Sequence, residues 1–477
     1  MTVLLTGGYL VLQEQYCGLV LATTARFHTR VETQKIAASN GRDDDVSQSI
    51  DHSHALPTHL EPVLTSSTCA ADHVQSQTSD RNAYVEETLV ATMNGLLGLD
   101  QAVLVEHLRA MQQQQERLHV LLQADNDFYS QVHRLQAANQ CLCREHLRAL
   151  PPFLPPSMEQ QADGSLVAAK TGMGSSAALI TSLVAALMAF FLPTLDLARP
   201  GPDLYLIHNM AQLCHCFVQR KIGSGFDVST ACFGSQRYTR FPRSLLDGFS
   251  HEDALLPSKI AACVSDHERW ACDVRVQPFR LPTGLRLLMG DISAGSATVS
   301  LVRQVLNWQQ EQPEESKRLM DALHGFNQRV AAGLDALDHA LQADPALHEK
   351  RVAAADVTSD QWLEINATIG ALLLKTREAF VQVRSSLRNM GAQAGVPIEP
   401  PSQTDLLDAT MALPGVLAAG VPGAGGFDAV FVLVLDASVL PRVEAFWQSY
   451  ASSASSRICP LLCDVAVTNL GTGLVRE

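Results

Sequence analysis

The chain has 477 residues, with 35 Lys+Arg against 49 Asp+Glu and a formal net charge of -14. It is 47% hydrophobic and only 18% charged, against roughly 25% in an average soluble domain, which describes an interior-rich globular chain of two or three domains by length. The acidic balance argues against nucleic acid and against an anionic membrane as partners, since both need positive surface. An anionic metabolite stays open, because it needs only a local positive pocket.

The 11 cysteines are odd in number and scattered through apolar contexts, which points to a reducing compartment. The C-x-C pairs Cys141/Cys143 and Cys214/Cys216 lack the spacing of a zinc knuckle. The most apolar stretch, Ala177 to Leu192, is broken by Thr181 and Ser182 and falls short of the roughly 18 apolar residues of a membrane span. No secretory pattern opens the sequence and no peroxisomal tripeptide closes it. The expected location is the cytoplasm, with a peroxisome-like organelle as the alternative.

In chain order, Val3-Leu4-Leu5 reads as a strand leading into Thr6-Gly7-Gly8, and Leu19 to Thr23 as a second strand. From Lys35 to Arg81 periodicity vanishes into Ser, Asp, His, Gln and Thr, so this is expected to be a loosely packed insertion with too little apolar area to order itself. Its histidines, His52, His54, His59 and His73, form no ligand pattern. Val85, Leu89, Met93, Leu96 and Leu97 share one helical face. Leu118 to Leu122 reads as a strand, Pro151 to Pro156 as a loop, and Leu166 to Ala169 as a short strand. Helices are expected from Ala177 and over Leu204 to Gln219, strands over Val274 to Phe279 and Leu285 to Met289, then long helices to about Asn389 and a buried strand over Ala429 to Leu435. The texture divides into an N-terminal domain over 1–245 and a C-terminal one over 270–477.

Between an apolar strand and an apolar helix lies Lys170-Thr171-Gly172-Met173-Gly174-Ser175-Ser176-Ala177-Ala178. Its glycines let the backbone approach an anion, and the helix start adds a positive dipole end. Gly164 to Thr171 misses a Walker-type phosphate loop, because Ala169 stands where the second glycine belongs. Gly172, Gly174 and Ala177 satisfy a dinucleotide fingerprint, but Asp196, at the right distance, follows no strand. The third reading is the serine-rich phosphate loop of small-molecule kinases.

That loop, with Leu4 to Leu12, Lys221-Ile222-Gly223-Ser224-Gly225-Phe226-Asp227-Val228, Gly234 to Tyr238, Gly395 to Pro400 and Gly420 to Ala429, resembles the superfamily of galactokinase, homoserine kinase, mevalonate kinase and phosphomevalonate kinase. Within it the sequence is similar to the eukaryotic phosphomevalonate kinases, segment by segment in the family's order. The resemblance implies an α+β, two-lobed fold with an N-terminal ATP-binding lobe and a ferredoxin-like C-terminal lobe. It implies ATP with Mg2+ as cofactors, and phosphorylation of 5-phosphomevalonate to 5-diphosphomevalonate in isoprenoid and sterol-precursor synthesis.

By the same resemblance, Lys170, Gly172, Gly174, Ser175, Ser176 and Ala177 bind ATP and Ser176 assists Mg2+. Asp227, with Ser176 and Lys221, carries the chemistry. Gly423, Gly425 and Gly426 form a flexible turn closing the phosphate site. The anionic acceptor needs cations, for which Lys170, Lys221 and Arg237 are candidates and Arg26 a lesser one. Ser235 and the loop Gly290 to Thr298 are expected to line the substrate side.

One departure stands out. The family carries Pro-Gly-Lys just before the segment matching Val3-Leu4-Leu5, and Thr2 occupies the lysine's place. A start upstream of the recorded one is the expectation, with a weakened relative that binds nucleotide or a partner as the alternative.

Overall fold

The computed structural model describes residues 2–35, 59–60, 82–160, 164, 166–249, 256–292, 298–454, 457–466 and 473–476. Apart from Lys35 and the strand His59–Leu60, the expected insertion, with His52, His54 and His73, lies outside the described residues.

Among the described residues, four sheets organise the chain. The first runs β1 (Thr2–Thr6), β2 (Cys17–Ala22), β8 (Gln236–Thr239), β9 (Val276–Pro278). Every residue of β1 is buried, as a continuous apolar run between two packed layers requires. A second sheet pairs β3 (Phe27–Lys35) with β5 (Glu116–Ala124), flanked by β4 (His59–Leu60). A two-stranded ribbon, β6 (Met158–Gln160) and β7 (Leu166–Ala168), precedes the glycine-rich loop.

The C-terminal sheet has the order β11 (Val416–Gly420), β12 (Ala429–Val434), β10 (Arg286–Asp291), β13 (Cys459–Pro460), antiparallel throughout. Helices lie between β10 and β11 and again between β12 and β13. This β-α-β-β-α-β succession with its first and third strands central is the ferredoxin-like arrangement.

Two large apolar clusters form the core. One joins β1, β2 and β10 to β12 with the helices Pro313–Ala343 and Ala367–Ala394. The other is built on the helices Ala83–Leu99, Ser175–Phe191, Pro202–Gln219 and Phe226–Phe233. The first cluster runs through both lobes, so the lobes share a packed interface.

One expectation shifts. Over 272–275 the backbone is helical (Cys272–Arg275), and only Val276–Pro278 is strand. That strand pairs with β8 in the first sheet. The tail also returns: the Gly473 N–H donates to the Cys232 carbonyl at 2.9 Å.

Candidate active site

The glycine-rich loop turns through left-handed backbone at Gly172 (φ 72) and Gly174 (φ 70), and the helix Ser175–Phe191 starts at the next residue. A side chain at Gly174 would come within 3.6 Å of the Asp227 Cβ and 3.9 Å of the Thr2 Cβ, and one at Gly172 within 3.5 Å of the Asp428 Cβ. The loop, the start of β1, the Asp227 turn and the C-terminal glycine turn therefore meet at one place. Thr2 is buried there, its backbone N 3.5 Å from the Met173 carbonyl and its hydroxyl 3.4 Å from the Asp227 carbonyl. The helix start, whose first N–H groups have no intrahelical partner, faces this junction.

Asp227 opens the helix Phe226–Phe233, and its Oδ1 accepts the Val228 N–H at 3.0 Å. The turn before it is held from behind. Arg240 Nη2 donates to the Gly223 carbonyl at 2.6 Å, the Tyr238 hydroxyl to the Ser224 carbonyl at 2.7 Å, and Gln212 Nε2 to the Gly225 carbonyl at 2.7 Å. Three consecutive carbonyls are thus committed to buried side chains. Gly225 itself has φ 79, and a Cβ there would lie 2.4 Å from Phe241.

Ser176 faces the helix Pro202–Gln219. Its Oγ lies 3.3 Å from His215 Nε2 and accepts from Gln219 Nε2 at 3.2 Å. His215 is buried, and its pKa is held below the ordinary value by that burial, with Asp227 opposing the shift and Lys221 adding to it. Lys221 itself is exposed at the end of the same helix. Ser175 is buried at the first helical position.

Lys170 lies at the loop entrance, its Nζ 5.8 Å from the Tyr84 ring centroid, and crowding by the cleft walls lowers its pKa although the side chain reaches solvent. Ser235 and Arg237 are not brought to the Ser176–Asp227 group. The Ser235 hydroxyl accepts the Ala22 N–H at 2.9 Å and joins strands. Gln236 and Tyr238 point toward the Asp227 helix, bonding Ser229 and Ser224. The intervening Arg237 consequently points to the opposite face of the sheet, where its guanidinium pairs with Asp335 of the helix Pro313–Ala343. Beside it is a cavity of about 230 Å³ lined in part by Thr6, Asn327 and Asp335.

The Gly423–Gly426 turn is bonded to the Ile398 segment and to Tyr9. The Gly426 N–H donates to the Ile398 carbonyl at 2.8 Å, and a Cβ on Gly425 would lie 2.1 Å from that oxygen. The Tyr9 hydroxyl donates to the Ala424 carbonyl at 2.7 Å. Of the loop Gly290 to Thr298, residues 293–297 lie outside the described residues.

Sequence reasoning missed Gln212, His215, Gln219 and Arg240. A signal was present: His208, Gln212, His215 and Gln219 recur at helical spacing in an otherwise apolar helix, a polar stripe on a buried element.

Mg2+ takes oxygen ligands and is commonly held through one or two protein oxygens plus substrate phosphates. The donors here, the Ser176 hydroxyl and the Asp227 carboxylate, fit that pattern, and among the described residues no cluster of His, Cys, Asp and Glu forms a complete protein cage.

Residues 146–235 match the GHMP kinases N terminal domain and residues 372–453 the GHMP kinases C terminal family. A peroxisomal phosphomevalonate kinase of Arabidopsis thaliana is 36% identical, covering 94% of this chain and 91% of its own. A phosphomevalonate kinase of Aspergillus fumigatus is 32% identical over 95% of this chain and 90% of its own. Among solved structures, the Listeria innocua protein Lin0012 superposes with a TM-score of 0.56 at 13% identity, over 98% of both chains. Streptococcus pneumoniae phosphomevalonate kinase in complex with phosphomevalonate and AMPPNP superposes at 0.50 and 12% identity, also over 98% of both. At such identities the structural likeness concerns the fold.

Proposed function

The chain belongs to the phosphomevalonate kinase family, and from that premise we propose how its residues transfer the γ-phosphoryl group of ATP to 5-phosphomevalonate, giving 5-diphosphomevalonate and ADP. The observation that carries the reading is the meeting of Gly174, Asp227 and Thr2 at the start of one helix.

Phosphoryl transfer needs alignment and charge neutralisation more than covalent help. The Gly172–Ser176 backbone receives the nucleotide phosphates at the helix start, with Lys170 at the entrance. When bound, Mg2+ supplies charge neutralisation between the phosphates, and Ser176 Oγ and the Asp227 carboxylate are the oxygens that would hold it.

The acceptor oxygen belongs to a phosphate monoester and is already anionic. It attacks the γ-phosphorus as the bond to the β-phosphate oxygen breaks and ADP leaves with that electron pair. No proton has to be removed, so Asp227, itself negative, would orient the acceptor through the cation it would help hold, while Lys221 offsets negative charge at the turn. Arg237 would contribute to substrate binding only by giving up Asp335.

A coupled ADP-release assay with phosphomevalonate, using mevalonate and galactose as controls, tests this reading. Turnover of phosphomevalonate alone, lost in Asp227→Asn and Ser176→Ala, is expected, and turnover of mevalonate only would overturn it. A second reading, nucleotide binding without turnover, is favoured by Thr2 standing beside Asp227 where the family carries a lysine. For location we propose a reducing compartment, cytosol or a peroxisome-like organelle, because the described cysteines are all free thiols. Among the described residues no helix is long and apolar enough to cross a membrane.

A further inference from the structure

A serine in the first turn of a helix normally rotates freely or bonds back to its own backbone. Ser176 does neither, because a neighbouring helix reaches over to hold it. Gln219 Nε2 stands 3.2 Å from Ser176 Oγ, His215 Nε2 stands 3.3 Å from the same atom, and the Gln219 amide also touches the His215 ring at 2.5 Å. His215 is 8% exposed, so water does not compete for its ring nitrogen from most directions.

A hydroxyl has one proton and two lone pairs. Gln219 Nε2 only donates: one of its N–H groups enters a lone pair of Ser176 Oγ and the other turns to the single lone pair of His215 Nε2, so His215 holds Gln219 and Gln219 holds the hydroxyl oxygen, whose second lone pair stays free. A phosphate-bound cation needs that second lone pair, and an oxygen held on one side by Gln219 offers it from a fixed position.

We propose that His215 and Gln219 are positioning residues that, His215 through Gln219, hold the Ser176 hydroxyl oxygen in place for the metal–nucleotide complex. This rests on the reading of Gly172–Ser176 as the phosphate loop. Outer partners that orient a ligand group commonly change metal affinity by about 10- to 100-fold when removed. Neither residue touches the nucleotide in this scheme, so their effect runs through Ser176 and is confined to the metal-bound form.

The experiment is calorimetric binding of ATP to the full chain with and without MgCl2, with thermal unfolding recorded for each variant. Gln219→Leu, at a half-buried position that tolerates an apolar side chain, is expected to weaken MgATP binding about tenfold and leave metal-free ATP binding unchanged. His215→Leu should do the same. His215→Gln, whose amide oxygen can stand where Nε2 does, should recover most of the affinity. In a Ser176→Ala background, Gln219→Leu should add nothing. If Ser176→Ala weakens MgATP but Gln219→Leu does not, the positioning role is overturned and the phosphate-loop reading survives. If the double variant loses a further tenfold, Gln219 acts independently of Ser176 and the inference fails. If Ser176→Ala binds MgATP as the parent does, the phosphate-loop reading fails and the inference goes with it.

Discussion

Gln212 donates its amide to the Gly225 carbonyl at 2.7 Å, two residues before Asp227. The bond sets the height at which the Asp227 helix begins, because Gly225 immediately precedes that helix. Gln212→Leu removes the shorter of the two bonds to the Gly225 carbonyl, leaving only the Ser229 N–H at 3.0 Å, and lets the turn relax. A reacting group displaced by about 1 Å can lose roughly 100-fold in rate. The expected outcome is a fall in kcat of about 10- to 100-fold with little change in KM for ATP, measured by steady-state kinetics. Unchanged kcat would mean that the Gly225 bond does not set Asp227.

Gly225→Ala should be worse. The residue adopts φ 79, and the new methyl would meet Phe241 at 2.4 Å and the Gln212 amide at 2.9 Å. Both backbone strain and displacement of Gln212 follow, so stability and kcat should fall together. Urea denaturation alongside kinetics would check this, and a variant with the parent's midpoint and rate would contradict it.

Thr2→Lys should increase turnover. Position 2 abuts Asp227 and the Gly174 turn, where the acceptor phosphate, the nucleotide and Asp227 are all negative. A cation aimed at charge developing in a transition state is worth on the order of 100-fold, and even an imperfectly placed lysine should give about tenfold in kcat. A rate at or below the parent's would show that the position is not a charge site.

His208 predicts an acid-labile fold. It is fully buried between the Phe233 and Trp270 rings, with Asn209, Gln212 and Cys272 against its nitrogens, and burial drops its pKa to about 4. In the unfolded chain it titrates near 6.5. Between those values the unfolded state binds the extra proton, so stability present above pH 6.5 is lost as pH falls toward 4. The loss should reach about 3 kcal/mol. Urea midpoints at pH 7 and pH 4.5 measure it, and His208→Gln should flatten the difference.

Glu399 is fully buried, accepting from Arg384 Nε at 3.0 Å, Arg384 Nη2 at 2.7 Å and Arg388 Nη1 at 2.7 Å. Glu399→Gln leaves buried Arg384 with Asp408 as its remaining carboxylate and half-exposed Arg388 without one, so the cost should stay at or below the roughly 3 kcal/mol of a broken buried ion pair. Because the adjacent Ile398 carbonyl holds Gly426, KM for ATP should rise as well. Denaturation and kinetics on the same variant check both, and a stable variant with unchanged KM would separate Glu399 from the glycine turn.

The strands and glycine motifs were legible because each has a local cause. An apolar run of four or five residues, or glycines before a helix, can be read without knowing the neighbours. Lys170 to Ala178 and Gly223 to Asp227 announced themselves that way. Gln212 and Arg240 did not, since their importance lies in which carbonyl each reaches across the fold. Arg237 misled for the same reason: alternation along β8 turns it to the face opposite Tyr238, and only the tertiary fold reveals Asp335 waiting there. The strand expected to begin at Val274 was shortened because 272–275 winds into one helical turn before pairing begins.

Tyr9 holds a left-handed φ of 65 and hands its hydroxyl proton to Ala424 across the junction of the lobes, while the Gly8 backbone passes so near Gly423 that a Cβ would fall 2.7 Å from its oxygen. Any breathing motion that opens the cleft must break this latch. A methyl group at position 8 would act as a wedge, propping the halves apart before nucleotide ever arrives.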